Sequence, residues 1–438
     1  MPPNRIDLFQ GWPSPETLPI GHLKQAATDA LSNKAISADG LGYGPDEGHM
    51  PLRQNIARWL SGFYAPSQPI PADRICITGG ASQNLACILQ VFTDPVFTQA
   101  VWLVEPAYHL VFRVFEDAGF HGRLRGIPED EAGMDVGILE EALEAVDKSD
   151  GGNRQTGHPT KLPRPYRKIY KHVIYCVPTF SNPSGITMSR ERREALVRLA
   201  RKHDALIVSD DVYDFLHWNS SSNHPPENRL PRLVDIDRVL DTDPQDRFGH
   251  VVSNGSFSKL IGPGCRVGWA EGTEGLVYGL SQAGSTRSGG APSQLMSTIV
   301  NELFHADFLP RYITDTLIPE GRRRYTAIAS ALQSRLGPLG VTFTPDPGHG
   351  HHAWTGGYYI WLRLPASLGA SQVSREALRR QNLVLGNGEL FAVPGGSWPV
   401  NNNLHQRLRL CFMWENERQL LQGVERLEIV LRELLKEL

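Results

Sequence analysis

The middle of the chain alternates short apolar runs with amphipathic stretches, and few folds accommodate that order. Residues 205–208 are continuously apolar, which is typical of a strand buried on both faces of a parallel sheet. The preceding stretch, 190–203, carries apolar residues at the spacing of one helix face. Further strand-like runs lie at 75–78, 100–104, 172–177 and 250–253. This order predicts an α/β fold built on a mostly parallel sheet.

Polar side chains stand directly after several of these predicted strands. Asp210 and Asp211 follow the run at 205–208, and Ser256 and Lys259 follow the run at 250–253. Ligands of open α/β sheets bind beyond the carboxyl ends of the strands. We therefore expect a binding site at this edge of the sheet, assembled from residues that lie far apart in the sequence.

Composition and charge exclude several classes of protein. The formal net charge is -3 over 438 residues, so the chain lacks the basic excess that general nucleic-acid binding requires. No apolar run approaches the roughly 18 residues of a membrane-spanning helix. The first residues, Met1 to Arg5, contain no apolar segment of the kind that directs secretion. We therefore predict a cytoplasmic protein that binds small molecules, and neither nucleic acid nor a membrane.

Lys259 stands in a segment rich in hydroxyl groups and glycine. Ser256 and Ser258 precede it closely, and Arg266 follows after Gly262. Hydroxyls and a guanidinium are groups that bind a phosphate. A lysine attacks a carbonyl only when its amine is neutral, which requires a desolvated or positively charged setting. Taken alone, the segment fits equally well an exposed lysine in a serine-rich turn.

The order of motifs along the chain carries a more specific resemblance. The segment from Ser256 to Trp269 resembles the lysine segment of class I and II aminotransferases, which are fold-type I enzymes that use pyridoxal 5′-phosphate. The resemblance is greatest to the 2-aminoadipate and aromatic aminotransferase group, and it runs in the family's order from Phe9 to Phe412. It implies that Lys259 holds the cofactor as a Schiff base.

The same resemblance implies the division of the chain into domains. A large domain with a mostly parallel, seven-stranded sheet is expected at residues 45–310. A smaller α+β domain is expected from residues 1–44 plus 311–438, where helical patterns accompany a strand-like run at 358–362.

The family's phosphate-binding residues have counterparts in two segments. Ala81 and Ser82 follow a glycine turn at the start of a predicted helix, where backbone N–H groups form an anion site. Ser256, Ser258 and Arg266 are the counterparts in the lysine segment. A plain helix-capping role for Ser82 is compatible with this interpretation.

Tyr43 resembles the family's tyrosine that crosses a homodimer interface to the partner subunit's cofactor phosphate. A homodimer follows from this resemblance and not from composition. As an isolated feature, Tyr43 is more typical of a turn residue, and the glycines that follow it favour the family interpretation.

Four residues correspond to those that hold the cofactor ring. Tyr108 would stack on the pyridine ring, and Asn182 and Tyr213 would hydrogen-bond to its phenolic oxygen. Asp210 would keep the ring nitrogen protonated, which makes the ring an effective electron sink. On spacing alone, Tyr108 fits a core position equally well, and Asn182 fits a β-turn, which would itself hold the side chain in place.

Arg409 corresponds to the arginine that binds the substrate's α-carboxylate through its bidentate fork, with Asn182 beside it. The family pattern selects Arg409 rather than Arg407. Lys259, Asp210 and Tyr108 are the predicted catalytic residues. The implied function is amino-group transfer between an α-amino acid and a 2-oxo acid.

An alternative uses the same residues for a different outcome. Fold-type I enzymes also act as lyases, cyclases or C–C bond-forming enzymes through a quinonoid intermediate, and the pocket decides between these reactions. Apparent surface insertions at 147–167 and 218–246 leave room for a specialised substrate. The histidines from His349 to His352 are too close together for a usual ligand set, so we predict a loop there and no metal site. A DNA-binding regulator is disfavoured, because no helix-turn-helix pattern precedes Tyr43.

Overall fold

The structure is a computed structural model that describes residues 4–153, 159–219, 230–241, 246–290, 292–344, 354–396 and 403–437. Its α-helices are α1 (Ile20–Ser32), α2 (Lys34–Leu41), α3 (Met50–Tyr64), α4 (Ala81–Phe92), α5 (Leu110–Phe115), α6 (Val136–Asn153), α7 (Arg190–Lys202), α8 (Leu233–Leu240), α9 (Glu274–Ser281), α10 (Gln294–Glu302), α11 (Phe308–Tyr312), α12 (Ile318–Ala331), α13 (Ala370–Gln381) and α14 (Glu417–Lys436).

The strands are β1 (Ile6–Asp7), β2 (Ile75–Thr78), β3 (Ala100–Glu105), β4 (Leu124–Asp130), β5 (Gly133–Met134), β6 (His172–Cys176), β7 (Ala205–Asp210), β8 (His217–Asn219), β9 (Val251–Ser256), β10 (Gly268–Glu271), β11 (Thr342–Thr344), β12 (Trp354–Gly356), β13 (Tyr359–Arg363), β14 (Leu383–Val384), β15 (Gly386–Asn387) and β16 (Arg407–Cys411). In the described part of the chain, no helix is both long and apolar enough to cross a membrane.

The central sheet has the strand order β2-β10-β9-β7-β6-β3-β4-β5. The neighbours from β9 to β4 pair in parallel. Strand β10 is antiparallel to both of its neighbours. The predicted mostly parallel sheet is confirmed, and the two-residue β5, which pairs antiparallel with β4, adds an eighth strand at one edge.

Strand β10 was not predicted, because its four residues continue the glycine-rich lysine segment without an apolar run. It fits between β2 and β9 through one close approach. A Cβ atom on Gly255 would stand 2.1 Å from the Trp269 ring, so only glycine lets these two strands pair.

A second, four-stranded sheet has the order β11-β13-β16-β15 and is antiparallel throughout. Helix α14 contacts both α12 and α13 beside it. The N-terminal strand β1 pairs in parallel with β14, which brings the first residues of the chain to the same region.

The described part of segment 218–246 is not the surface insertion that its composition suggested. Helix α8 buries Leu233, Val234 and Ile236 against the central sheet's helices and strands. Arg232, at its N-terminus, is 1% exposed and forms ion pairs of 2.6 Å with Glu271 and 2.9 Å with Asp235. Prolines and mixed charges suggested a solvated loop, whereas here the charges neutralise one another in the interior.

We predict that Arg232→Met lowers the free energy of unfolding by about 3 to 5 kcal/mol, because it leaves a buried carboxylate without its partner. The urea midpoint of unfolding measures this effect. Arg335→Met is the control, since Arg335 pairs with Glu425 and Glu428 at the surface. Equal midpoints for the two variants would contradict a structural role for the buried pairs.

Candidate active site

A cavity of about 440 Å³ opens at the carboxyl ends of the central strands. It brings together every predicted site residue except Tyr43. These are Ala81, Ser82, Tyr108, Asn182, Asp210, Tyr213, Ser256, Ser258, Lys259, Arg266 and Arg409. The position matches the expectation for an open α/β sheet.

Lys259 enters the cavity from the short helical turn Phe257–Lys259 that follows β9. Its Nζ donates a hydrogen bond of 2.5 Å to the carbonyl oxygen of Gly11. Burial lowers the pKa of this amine to about 8, and the Arg409 guanidinium acts in the same direction, against the opposing effects of Cys411 and Asp210. A substantial fraction of the amine is therefore neutral at mildly alkaline pH, as a nucleophile requires.

Asp210 is the last residue of β7, and its two carboxylate oxygens differ in their surroundings. Oδ2 accepts a hydrogen bond of 2.6 Å from the hydroxyl of Tyr175. Oδ1 is buried without a hydrogen-bond partner among the described residues. Burial raises the pKa of Asp210 to about 6, while the Tyr175 hydrogen bond and the Lys259 charge oppose that rise. The free oxygen is suited to a cationic N–H group in the cavity.

One end of the cavity collects groups that bind an anion. Helix α4 begins at Ala81, directly after Gly80, whose φ of 97° suits glycine. The N–H groups of its first turn have no partner within the helix. Arg266 lies over this N-terminus and donates a hydrogen bond of 2.6 Å to the carbonyl of Gly79. The hydroxyls of Ser256 and Ser258, 2.9 Å apart, complete the set.

Tyr108, Asn182 and Tyr213 line the middle of the cavity. Asn182 Oδ1 accepts a hydrogen bond of 2.8 Å from Arg409, so the amide also orients that guanidinium. The Tyr213 hydroxyl lies 3.4 Å from that of Tyr359. Burial raises the pKa of Tyr108 to about 12, so its ring stays neutral.

Arg409 extends from β16 into a cage of three aromatic rings. Its guanidinium carbon lies 4.8 Å from the ring centre of Phe9, 4.2 Å from that of Tyr359 and 4.9 Å from that of Phe391. One Nη donates a hydrogen bond of 2.6 Å to the carbonyl of Phe9. Arg407 does not line the cavity, in agreement with the choice of Arg409.

Sequence reasoning missed Tyr175, Tyr359 and the backbone carbonyls of Phe9 and Gly11. Tyr359 lay in a predicted strand, and its register opposite β16 alone places it beside Arg409. Trp12, in the N-terminal segment that follows Gly11, also lines the cavity.

One predicted site residue, Tyr43, lies away from the cavity. Tyr43 is 93% exposed and does not reach the cavity of its own chain. The histidines from His349 to His352 lie outside the described residues.

Comparisons with known proteins agree with this geometry. A family model described as aminotransferase class I and II matches residues 6–427. The chain belongs to the class I and II aminotransferase family. An uncharacterized protein of Saccharomyces cerevisiae is 35% identical over 89% of this chain and 89% of its own length. Aromatic-amino-acid aminotransferase 1 of Thermococcus litoralis is 27% identical over 98% of this chain and 89% of its own.

A solved structure gives the same result. The crystal structure of LysN, an α-aminoadipate aminotransferase of Thermus thermophilus complexed with N-(5′-phosphopyridoxyl)-L-leucine, has a TM-score of 0.76 and 26% identity, and the match covers 99% of this chain and 94% of that one. The predicted fold type, cofactor and enzyme class are thereby confirmed. The protein is a pyridoxal-phosphate-dependent aminotransferase, which moves an amino group between an α-amino acid and a 2-oxo acid.

The residues of the cavity fit this cofactor. The unpartnered Oδ1 of Asp210 suits a protonated ring nitrogen, and the start of α4 with Arg266 suits a phosphate. The Lys259 amine, with its lowered pKa, suits the aldehyde of this cofactor. Three separate parts of the cofactor, namely its ring nitrogen, its phosphate and its aldehyde, thus each have a suitable group in the cavity.

We predict that the rate at which the apoprotein takes up pyridoxal 5′-phosphate rises with pH, is half-maximal near pH 8 and levels off at pH values well above the pKa of Lys259. Only the neutral Lys259 amine reacts with the aldehyde, and burial holds its pKa near 8 instead of the ordinary 10.5. Stopped-flow absorbance measures the rate, with Lys259→Ala as the control that forms no covalent product. A rate that keeps rising towards pH 10.5 would contradict the lowered pKa.

Proposed function

We propose that Lys259, Asp210 and Arg409 carry out the amino-group transfer in this cavity. The observation that supports the proposal is that these three residues line one cavity. An amine of lowered pKa, a carboxylate with an unpartnered oxygen and a buried guanidinium converge there from three distant parts of the chain. Each matches a separate requirement of the cofactor or of an amino acid.

Two groups of residues would hold the cofactor. The N–H groups of Ala81 and Ser82, with the hydroxyls of Ser256 and Ser258 and the guanidinium of Arg266, would bind the phosphate. When bound, pyridoxal phosphate supplies an electron sink for the electrons left behind when the substrate loses its α-proton.

The other group would bind the ring. Tyr108 would pack against its face, which fixes the orientation of the reacting bonds. Asn182 and Tyr213 would donate hydrogen bonds to the phenolic oxygen, and Asp210 Oδ1 would hold the proton on the ring nitrogen. The buried position of Asp210 strengthens this charge-assisted bond, because little water competes for it.

Lys259 would act as the base. Its neutral Nζ would take the proton from the Cα atom of the amino acid and return it later in the reaction. The Gly11 carbonyl, which now accepts a hydrogen bond from Nζ, would give way to the substrate.

Arg409 would bind the substrate's α-carboxylate. One Nη now donates to the carbonyl of Phe9, and a carboxylate would replace that neutral acceptor by a charged one. The other Nη is held by Asn182, so the guanidinium keeps its orientation during the exchange.

The donor's side chain would be apolar or aromatic. Beyond Arg409, the described lining contains Phe9, Trp12 and Leu110 together with His109, whose pKa burial lowers to about 4. Asp7, also in the lining, would repel an acidic side chain. Burying an apolar side chain in such surroundings is favourable, whereas burying a carboxylate there is unfavourable.

The active form would be a homodimer in which Tyr43 reaches the partner's phosphate site. Tyr43 is 93% exposed, and Leu41, the last residue of α2, is 71% exposed; the two residues lie close together in the sequence. Exposed aromatic and aliphatic side chains in one patch are typical of an interface.

We also propose the domain division at residues 45–310 and at 1–44 plus 311–438. Pairing of β1 with β14 supports the inclusion of the first residues in the small domain. Helices α1 and α2 contact α10, so they would link the two domains. A cytoplasmic location stays a prediction of the sequence.

We predict that the holoenzyme, mixed with an aromatic or aliphatic amino acid without an acceptor, forms one 2-oxo acid per active site and then stops. Mass spectrometry and the change in visible absorbance measure this single turnover. Adding a 2-oxo acid should restart it. Continuous release of ammonia, or a product with a new C–C bond, would instead support a lyase or C–C bond-forming enzyme.

Two arginine variants control this experiment. Arg409→Gln should lower kcat/KM about 100-fold, since charge-assisted hydrogen bonds to the α-carboxylate are lost. Arg407→Gln alters the same strand outside the cavity and should leave kcat/KM nearly unchanged. Equal effects would contradict the proposed role of Arg409.

A hybrid dimer tests the placement of Tyr43. A dimer of one Tyr43→Phe chain and one Lys259→Ala chain has one complete site if Tyr43 acts across the interface, and none if it acts within its own chain. We predict about half the activity of the wild-type dimer, because a twofold dimer has two equivalent sites. Activity of purified, differently tagged hybrids measures this. An inactive hybrid, with Tyr43→Phe homodimers also impaired, would contradict the cross-subunit role.

A further inference from the structure

The two carboxylate oxygens of Asp210 have different surroundings, and the hydroxyl of Tyr175 causes the difference. Oδ2 accepts the Tyr175 hydroxyl at 2.6 Å, whereas Oδ1 is buried without a partner among the described residues. A carboxylate held by one strong hydrogen bond cannot rotate freely, because rotation would break that bond. The hydroxyl therefore decides which oxygen faces the cavity.

The pairing of two strands sets the position of Tyr175. It lies opposite Val208 in the parallel pair β6–β7, and Asp210 stands two residues further along on the same face. Tyr175 is 1% exposed, and its ring meets the edge of Phe115 at a centroid distance of 5.9 Å. The hydroxyl is thus directed at Asp210 by the sheet itself and by packing behind the ring.

The charges around Asp210 make this hydrogen bond important. Burial raises the pKa of Asp210, and the Tyr175 hydrogen bond is the foremost effect that opposes the rise. Burial and the Asp210 charge in turn raise the pKa of Tyr175 well above its usual value, so Tyr175 remains a donor. The titratable groups that act on Asp210, or on which it acts, are Lys259, Asp214, Tyr175, Tyr108, Tyr213 and Cys176.

We propose that Tyr175 is a positioning residue for the ring-nitrogen site: its hydroxyl anchors Oδ2 of Asp210, directs Oδ1 towards the cofactor's ring nitrogen and keeps the carboxylate ionised. This proposal rests on the proposed role of Asp210 and adds a residue that touches neither cofactor nor substrate.

Loss of the hydroxyl has a defined consequence. Without this donor the carboxylate becomes more basic, and it competes more strongly for the proton that it shares with the ring nitrogen. The proton moves towards Oδ1, and the ring becomes a weaker electron sink. The deficit should therefore appear in kcat, while the KM for the amino donor, which depends on Arg409, should change little.

The experiment compares Tyr175→Phe with Tyr170→Phe in the holoenzyme. Tyr170 is a matched control, because it is also fully buried and donates a hydrogen bond of 2.5 Å, but to the carbonyl of Gly249. Both variants lose one buried hydroxyl and keep the ring. Two readouts are independent of activity: the Kd for pyridoxal 5′-phosphate, and the nitrogen NMR resonance of isotopically labelled cofactor, which reports protonation of its ring nitrogen.

Tyr175→Phe should raise the cofactor Kd about tenfold, the loss expected for one hydrogen bond to a charged group. It should also move the resonance towards that of an unprotonated ring. Tyr170→Phe should leave both unchanged at a similar cost in thermal stability. If the two variants give the same Kd and resonance, the positioning role of Tyr175 is overturned.

Asp210→Asn separates this failure from failure of the proposed function. If Asp210→Asn loses ring protonation while Tyr175→Phe keeps it, the role of Asp210 stands and that of Tyr175 falls. If Asp210→Asn also keeps the wild-type resonance and Kd, both roles fall together.

Discussion

The burial of the Asp210 carboxylate is the constraint around which the cavity is arranged. A buried carboxylate with one unpartnered oxygen is costly until a cationic donor completes it. The same strand pairings that bury it also set the distance to the anion site. Asn254 of β9 lies opposite Asp210, and its side chain donates a hydrogen bond of 3.1 Å to the carbonyl of Ala81 at the start of α4. The ring site and the phosphate site are therefore held in register by two adjacent strands.

The N-terminal segment completes the site from the other side. The carbonyl of Phe9 accepts from Arg409 and the carbonyl of Gly11 accepts from Lys259, so two cations of the cavity share one stretch of backbone. A side chain at position 11 would collide with the Tyr359 hydroxyl, which explains the glycine. Because β1 ties this segment to β14, residues 400 positions apart in the chain meet in one cavity.

The residues that could be singled out from the sequence are charged residues that stand beside apolar runs. Lys259, Asp210 and Arg409 each place a charge beside apolar runs, and the family resemblance assigned them to one cofactor. Tyr175 gave no such signal, because a strand buried on both faces has no alternation that tells which way a side chain points. Its contact depends on the register of β6 against β7, which only the folded chain defines.

The same limit explains why the expectation of a surface insertion was wrong for the described part of segment 218–246. Its composition is that of a solvated loop, yet Arg232 lies in the interior. There it forms ion pairs with Asp235, three residues later, and with Glu271 in β10. Charge neutralisation between distant elements cannot be seen in a local window of sequence. Strand β10 escaped prediction for a related reason, since its pairing with β2 and β9 compensates for its shortness.

Burial acts on Lys259 and Asp210 in opposite directions, and this links the binding of the cofactor to the reactivity of the base. It lowers the pKa of Lys259 and raises that of Asp210, while the attraction between the two charges limits both shifts. A protonated ring nitrogen against Oδ1 would offset the negative charge of Asp210. That would remove one of the groups that raise the pKa of Lys259, so the lysine amine, once released from its bond to the cofactor, would be more fully neutral. The lysine would thus be a better base at the stage of the reaction at which a base is needed.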